Sequence, residues 1–498
     1  MNEQGGVPAS MRVATGVAGL DEITRGGFWK GGIYVVSGGP GTGKSILANQ
    51  MAFHHVRSGG RAVYVTLLAE THARMLAQVQ TMSFFEAAAV GSTIQYLNAF
   101  GAIAGEGLPG LLQLARRAVR DHRADLLILD GMMTAGMIAP SKLEYKKFIN
   151  ELQTWVGIVG CTVLFLTSSA QGHESDPEYT TVDGVLELYT VFPDMRAIRQ
   201  LRILKLRGTA YTEGNHHYFI SNHGVGVYPR FEGHARPRIK EPIGMQMRSL
   251  GVARLDEMLG GGVREGSITL VLGSSGTGKT TVGLQFLAAA ARRGEPALHF
   301  GFYEAPGAIV AKADRFGLAF SKLREGGLIH VVWQSPAETV LDDVASSLLE
   351  SIERSKARCL FIDGLVGFKE SPYLERLPGF FSTLSKQLTS MDITTVISEE
   401  SRQLFVENIE VPTQGVSAIF ENIIFLRHVQ TGSELARLVS VMKTRDARHD
   451  RSLCSFEIRD DGIHIGPRFG PDDSAITGVA HSGPSHPHDR PPEGRRKR

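Results

Sequence analysis

The chain has 498 residues, with 53 Lys plus Arg against 51 Asp plus Glu, and only three cysteines. A net charge of +2 provides no global field for nucleic acid or an acidic partner, although it does not exclude a local basic patch. The length bounds the chain to two or three domains, each able to bury its own core.

Residues Met1 to Gly6 lack a basic n-region leading into an apolar h-region, and no uninterrupted run of 18 apolar residues follows. A cytoplasmic protein without membrane association is therefore expected. Cys161, Cys359 and Cys454 have no metal-ligand spacing and read as small apolar packers in a reducing compartment. The first patterned segment is Thr15-Gly-Val-Ala-Gly-Leu-Asp-Glu22, closed by the turn Gly26-Gly27. An apolar strand, Ile33-Tyr-Val-Val-Ser37, then enters Gly38-Gly39-Pro40-Gly41-Thr42-Gly43-Lys44-Ser45, and a helical stretch, Ile46 to Phe53, follows. The octet is G-x-x-x-x-G-K-[ST], and the strand before and helix after are the context that gives it meaning. Its glycines let backbone N–H groups face the α/β-phosphates, the helix N-terminus adds a positive end, and Lys44 reaches the β/γ-phosphates. Ser45 would hold Mg2+.

The next strand, Ala62 to Thr66, ends in Leu67-Leu-Ala-Glu70-Thr71. Glu70, 26 residues after Lys44, is the candidate for polarising the nucleophile; a plain surface glutamate is the alternative. Asp125-Leu-Leu-Ile-Leu-Asp130 reads as a buried parallel strand with Asp130 at its C-terminal end, where an open α/β sheet places its ligands. Asp130 is thus a candidate Mg2+ partner, acting directly or through water, against the alternative of a turn-capping carboxylate. In Ile203-Leu-Lys205-Leu-Arg207-Gly208, alternation puts Lys205 and Arg207 on one face of a strand. Two like charges on one face call for an anion, and in a ring of subunits a neighbour's γ-phosphate would supply it. A strand edge guarded by solvated charge is the competing reading.

Pro229 to Arg248, with Pro229, Pro237, Pro242 and several basic residues, reads as a connecting arm with a boundary near Glu241. The pattern then recurs 235 residues on: Leu250-Gly-Val-Ala-Arg-Leu-Asp-Glu257, Gly260-Gly-Gly262, Ile268 to Leu272, and Gly273-Ser274-Ser275-Gly276-Thr277-Gly278-Lys279-Thr280. Ala297 to Phe302 leads into Tyr303-Glu304-Ala305-Pro306, with Glu304 placed 25 residues after Lys279. Cys359-Leu-Phe-Ile-Asp363 and Val441-Met-Lys443-Thr-Arg445 complete the repeat. Thr280 and Asp363 take the Mg2+ roles, Glu304 the nucleophile-polarising role, and Lys443 with Arg445 the role of cations supplied to a neighbour. The fold class is α/β, two tandem P-loop domains around mostly parallel sheets, at 1–240 with the arm and at 241–470. Residues 471–498 are rich in Gly, Ser, His and Pro and end in Arg495-Arg-Lys-Arg498, a composition too poor in apolar residues to fold alone.

These segments resemble the KaiC family of tandem RecA-like ATPases. The likeness runs from about Arg12 to Pro467 and rests on the Gly-Val-x-x-Leu-Asp-Glu element, both P-loops, both strand-end aspartates, and the endings Lys205-Leu-Arg207-Gly208-Thr209 and Lys443-Thr-Arg445 with His449-Asp450. The resemblance implies a two-tiered homo-hexameric ring, ATP and Mg2+ at subunit interfaces, and slow hydrolysis. In clock members it further implies a second-domain autokinase acting on adjacent Ser and Thr.

Departures from the family pattern narrow what carries over. Clock members have paired glutamates after the second strand, whereas Glu70 and Glu304 stand singly. The acceptor dipeptide corresponds to Ser417-Ala418, which leaves Ser417 as the one hydroxyl and removes a two-site cycle. The tail after Pro471 does not resemble the family's clock-partner-binding tail. A nucleotide-driven signalling switch is the favoured reading, with a KaiB-like or other signalling protein as partner. The alternatives are a largely non-catalytic ATP-dependent platform, or a DNA-acting recombinase or helicase relative. Against DNA stand the near-neutral charge and the lack of a basic stretch with interleaved aromatics.

Overall fold

The apolar runs of the sequence become the inner strands of two nine-stranded sheets, one in each of two compact units, residues 1–235 and 236–498. The computed structural model describes residues 11–67, 72–168, 177–193, 195–234, 246–336, 340–371, 373–401, 419–431, 434–445 and 448–468. Glu70, Ser417 with Ala418, Pro237, Pro242 and the tail segment 471–498 lie outside the described residues.

In the first unit the sheet strands are β1 (Ile33–Gly38), β2 (Ala62–Thr66), β3 (Ile94–Asn98), β4 (Leu126–Asp130), β5 (Thr162–Thr167), β6 (Gly184–Val191), β7 (Ile198–Leu206), β8 (His216–Ser221) and β9 (Gly224–Tyr228). They lie in the order β9-β8-β7-β6-β1-β5-β4-β2-β3. The pairs from β3 to β6 are parallel, whereas β7, β8 and β9 add on antiparallel. Helices α1 (Lys44–Arg57), α2 (Phe100–His122) and α3 (Lys142–Val159) pack on the two faces.

Strand alternation divides the core between those faces. Tyr34, Val36, Ala62 and Tyr64 pack with Leu47, Met51 and Phe53 of α1, while Ile33, Val35, Val63 and Val65 pack with Leu111, Phe148 and Leu152 of α2 and α3. Burial on both sides explains why β4 reads as the unbroken run Leu-Leu-Ile-Leu rather than as an alternating one.

The second unit repeats the plan with β10 (Ile268–Gly273), β11 (Ala297–Gly301), β12 (Ile329–Trp333), β13 (Cys359–Asp363), β14 (Thr394–Glu400), β15 (Asn422–Thr431), β16 (Glu434–Thr444), β17 (Cys454–Arg459) and β18 (Gly462–Arg468). Their order is β12-β11-β13-β14-β10-β15-β16-β17-β18. Helix α4 (Lys279–Arg292) has a mostly apolar middle, and its Val282, Leu284, Phe286 and Leu287 are buried in this unit's core. Both sheets thus fit the expected α/β class with mostly parallel centres. Among the described residues no helix is long and apolar enough to cross a membrane, and Cys161, Cys359 and Cys454 are buried free thiols.

Candidate functional site

Each P-loop leaves the C-terminal end of its central strand and closes onto a helix. Gly38 cannot be larger, because a Cβ there would lie 2.4 Å from the Leu188 carbonyl oxygen, and Gly273 meets the same limit at Leu426 O, 2.5 Å away. Gly43 and Gly278 take φ of +90° and +104°, the left-handed conformation that glycine adopts without penalty, and each turns the chain into its helix. The two lysines stand over their loops: Lys44 Nζ donates to Gly38 O at 2.7 Å and Gly39 O at 2.9 Å, and Lys279 Nζ to Ser274 O at 2.8 Å. Burial pushes both ammonium pKa values down, and the carboxylates nearby pull them back: Asp130 for Lys44, and Glu400, Asp363 and Glu399 for Lys279.

The hydroxyl that closes each loop meets the strand-end aspartate. Ser45 Oγ lies 3.2 Å from Asp130 Oδ2, and Thr280 Oγ1 lies 3.2 and 3.1 Å from the two oxygens of Asp363. A hydroxyl beside a carboxylate is a hard oxygen donor set suited to Mg2+, which completes its shell with water and substrate phosphate. Among the described residues no cluster of three or more His, Cys, Asp or Glu is arranged as a metal cage.

Residues absent from the sequence reading surround these aspartates. In the first unit Tyr64, fully buried, donates its O–H to Asp130 Oδ2 at 2.6 Å. In the second, Ser398 Oγ donates to Asp363 Oδ1 at 2.8 Å, and His299, 1% exposed, places Nε2 3.8 Å from Asp363 Oδ2, too far for a hydrogen bond. Burial alone would raise the Asp363 pKa, but the nearby His299 imidazole and the Ser398 and Thr280 hydroxyls outweigh it and hold the carboxyl below its usual range.

A cleft of about 420 Å³ opens over the second P-loop, lined by Lys279, Thr280, Tyr303, Glu304, Asp363 and Glu400 among others, a size in the ~300–1,000 Å³ range of small-molecule sites. Glu304 does line it, but not as the lone carboxylate the sequence suggested. Lys312 pairs with it directly, and β14 adds Glu400 to the lining, with Glu399 preceding it on the strand. Glu399 is 2% exposed and paired with Lys369; burial raises its pKa despite that partner.

The basic pairs have partners that the sequence did not reveal. Lys205 and Arg207 flank the buried Leu206, as alternation requires, and within the unit both reach backbone carbonyls. Lys205 Nζ donates to Tyr179 O at 3.3 Å and Thr180 O at 2.9 Å. Arg207 donates to Thr181 O at 3.2 Å and lies 3.8 Å from Asp183. Lys443 Nζ likewise donates to Phe420 O at 2.8 Å, and Arg445 follows at the end of β16. Within each unit they sit away from their own P-loop. Lys205 pairs with Val185 while Gly38 pairs with Leu188, and Lys443 pairs with Ile423 while Gly273 pairs with Leu426.

A P-loop, its lysine, and a hydroxyl paired to a strand-end aspartate, built twice at the C-terminal edges of parallel sheets, define a tandem P-loop ATPase. The KaiC ATPase family model matches residues 13–232 and again 249–469, and the chain belongs to that family, whose domain binds ATP. It is 25% identical over 478 residues to the circadian clock oscillator protein KaiC of Rippkaea orientalis, covering 94% of this chain and 91% of that protein. It is 26% identical over 488 residues to the protein of the same name from Acaryochloris marina, with 94% and 91% covered, and 24% identical over 481 residues to that of Synechococcus elongatus, with 94% and 92% covered.

Proposed function

We propose that the chain binds MgATP at both P-loops and hydrolyses it slowly within a nucleotide-dependent ring, a homo-hexamer in which each site is completed by a neighbour. The register of Lys205 and Lys443 carries this reading. Three residues of strand separate each from the first glycine of its own loop, roughly 10 Å of backbone at ~3.3 Å per residue. Each lysine also points to carbonyls at the far end of the sheet. Lys205, Arg207, Lys443 and Arg445 therefore serve the γ-phosphate of an adjacent copy.

In each site Gly38 to Gly43, or Gly273 to Gly278, wraps the phosphates with backbone N–H groups, and Lys44 or Lys279 neutralises the β/γ-oxygens. Ser45 with Asp130, and Thr280 with Asp363, hold Mg2+, which stabilises the charge that develops on those oxygens. The sequence offers Glu70 and Glu304 as carboxylates for the nucleophile side. Sedimentation with and without a slowly hydrolysed ATP analogue tests the assembly: a monomer under both conditions overturns the supply of cations in trans.

The relatives' names speak of a circadian clock oscillator; for this chain the corresponding proposal is a nucleotide-driven signalling switch read by a KaiB-like or other signalling protein. Autokinase activity, where it occurs, falls on Ser417 alone, because Ala418 has no hydroxyl. Incubating wild type and Ser417→Ala with labelled ATP tests this: equal label on both proteins rules Ser417 out.

A further inference from the structure

The two units differ where it matters for turnover. In the first, β5 lies beside β1 with Thr167 in register with Ser37, so Ser168 follows at the level of Gly38. In the second, β14 lies beside β10 with Glu399 in register with Leu272 and Glu400 with Gly273. The strand continues onto the loop, since Ser401 N–H donates to Gly273 O at 3.0 Å. A hydroxyl end in one site is thus a carboxylate end in the other.

Two glutamates, Glu304 and Glu400, line the second cleft, with Glu399 beside Glu400 in the chain, and their partners separate the three. Glu304 is held by Lys312. Glu399 is buried and held by Lys369. Glu400 is exposed, lines the cleft with Lys279, Thr280 and Asp363, and is engaged by no hydrogen bond or ion pair among the described residues. A carboxylate tied to a lysine is a poor proton acceptor, whereas one in the cleft beside the phosphate-binding lysine is placed to accept a hydrogen bond from attacking water.

We infer that Glu400, rather than Glu304, orients the attacking water in the second site, a role that rests on the ATPase reading above. The water oxygen bonds to the γ-phosphorus while the bond to the β–γ bridging oxygen breaks and its electron pair leaves with ADP. The water proton passes to the Glu400 carboxylate and then to solvent, so that ATP and water give ADP and phosphate. The first site, ending in Thr167 and Ser168, has no counterpart on this strand.

The test uses the full chain carrying Lys44→Ala, so that turnover reports the second site. Glu400→Gln is expected to lower kcat by ~100-fold or more, the usual scale for a lost general base. Affinity for a fluorescent, slowly hydrolysed ATP analogue should stay the same or tighten, because one negative charge leaves the surroundings of Lys279. Glu304→Gln in the same background should lower kcat by less than about tenfold. If Glu400→Gln keeps kcat within about twofold, or Glu304→Gln is the variant that abolishes turnover, the inference fails while the ATPase reading stands. If Glu400→Gln loses analogue binding together with turnover, its role is structural and the inference also fails. If the Lys44→Ala parent binds the analogue but shows no turnover, hydrolysis at the second site fails and the role of Glu400 with it.

Discussion

Tyr64 donates a 2.6 Å hydrogen bond to Asp130, while His299, at the matching place in the second unit, stands 3.8 Å from Asp363. The equivalent aspartates thus differ, one bonded by the residue at this place and the other only near it. Burial and the Asp130 charge push the Tyr64 phenol well above its ordinary pKa, which keeps it a neutral donor. Tyr64→Phe should then cost about 1.5–3 kcal/mol, the range for a hydrogen bond to a charged group, and weaken Mg2+-dependent nucleotide binding at the first site. Both ring nitrogens of His299 are buried without a hydrogen bond, and its ring packs edge-on against Phe361. His299→Phe keeps the ring and removes unpaired polar atoms, so it should change stability by less than about 1 kcal/mol. Calorimetric unfolding of the two variants compares them, and an equal loss would show that the contacts are equivalent.

Gly283 lies inside α4, where alanine normally stabilises by about 1 kcal/mol. Here a Cβ would lie 2.3 Å from the Phe361 ring, and overpacking of that kind costs about 1–3 kcal/mol. At so short a distance to a buried ring the steric term wins, and Gly283→Ala should lower stability by about 2 kcal/mol on the same overpacking scale. Urea unfolding measures it. A gain in stability would mean that α4 can shift away from β13 freely.

Cations supplied between copies make a mixing prediction. Lys44→Ala lacks the first site's phosphate-binding lysine but keeps Arg207; Arg207→Ala keeps the lysine but lacks the arginine. Each protein alone should lose first-site turnover, and removal of such an arginine costs ~10³-fold or more in well-studied phosphoryl transfer. With the second P-loop left intact in both chains, so that each still binds nucleotide and assembles, a mixture should turn over more than the sum of the separate proteins, because an intact first P-loop then meets an intact Arg207 from a neighbour. Turnover equal to the sum of the separate proteins would place Arg207 outside the site.

The P-loops and strand-end aspartates were legible because their information is local: fixed glycine spacing, an apolar run before each loop, and one acid ending another run. The 235-residue repeat added a second, independent reading of each. Glu400 was not legible, since its meaning comes from register with Gly273, 127 residues away in the chain. The only signal available was the repeat itself, with Leu166-Thr167-Ser168 in one copy replaced by Ser398-Glu399-Glu400 in the other. The carbonyl partners of Lys205 and Arg207 were hidden for the same reason. A two-residue alternation gives the face of a strand but not the segment packed beyond its end.

The claim that both halves are working nucleotide sites is tested most directly by counting bound nucleotide. Equilibrium binding of a slowly hydrolysed ATP analogue in the presence of Mg2+ should give two nucleotides per wild-type chain, one for Lys44→Ala, one for Lys279→Ala and none for the double variant. A single variant that still binds two nucleotides per chain would contradict the account.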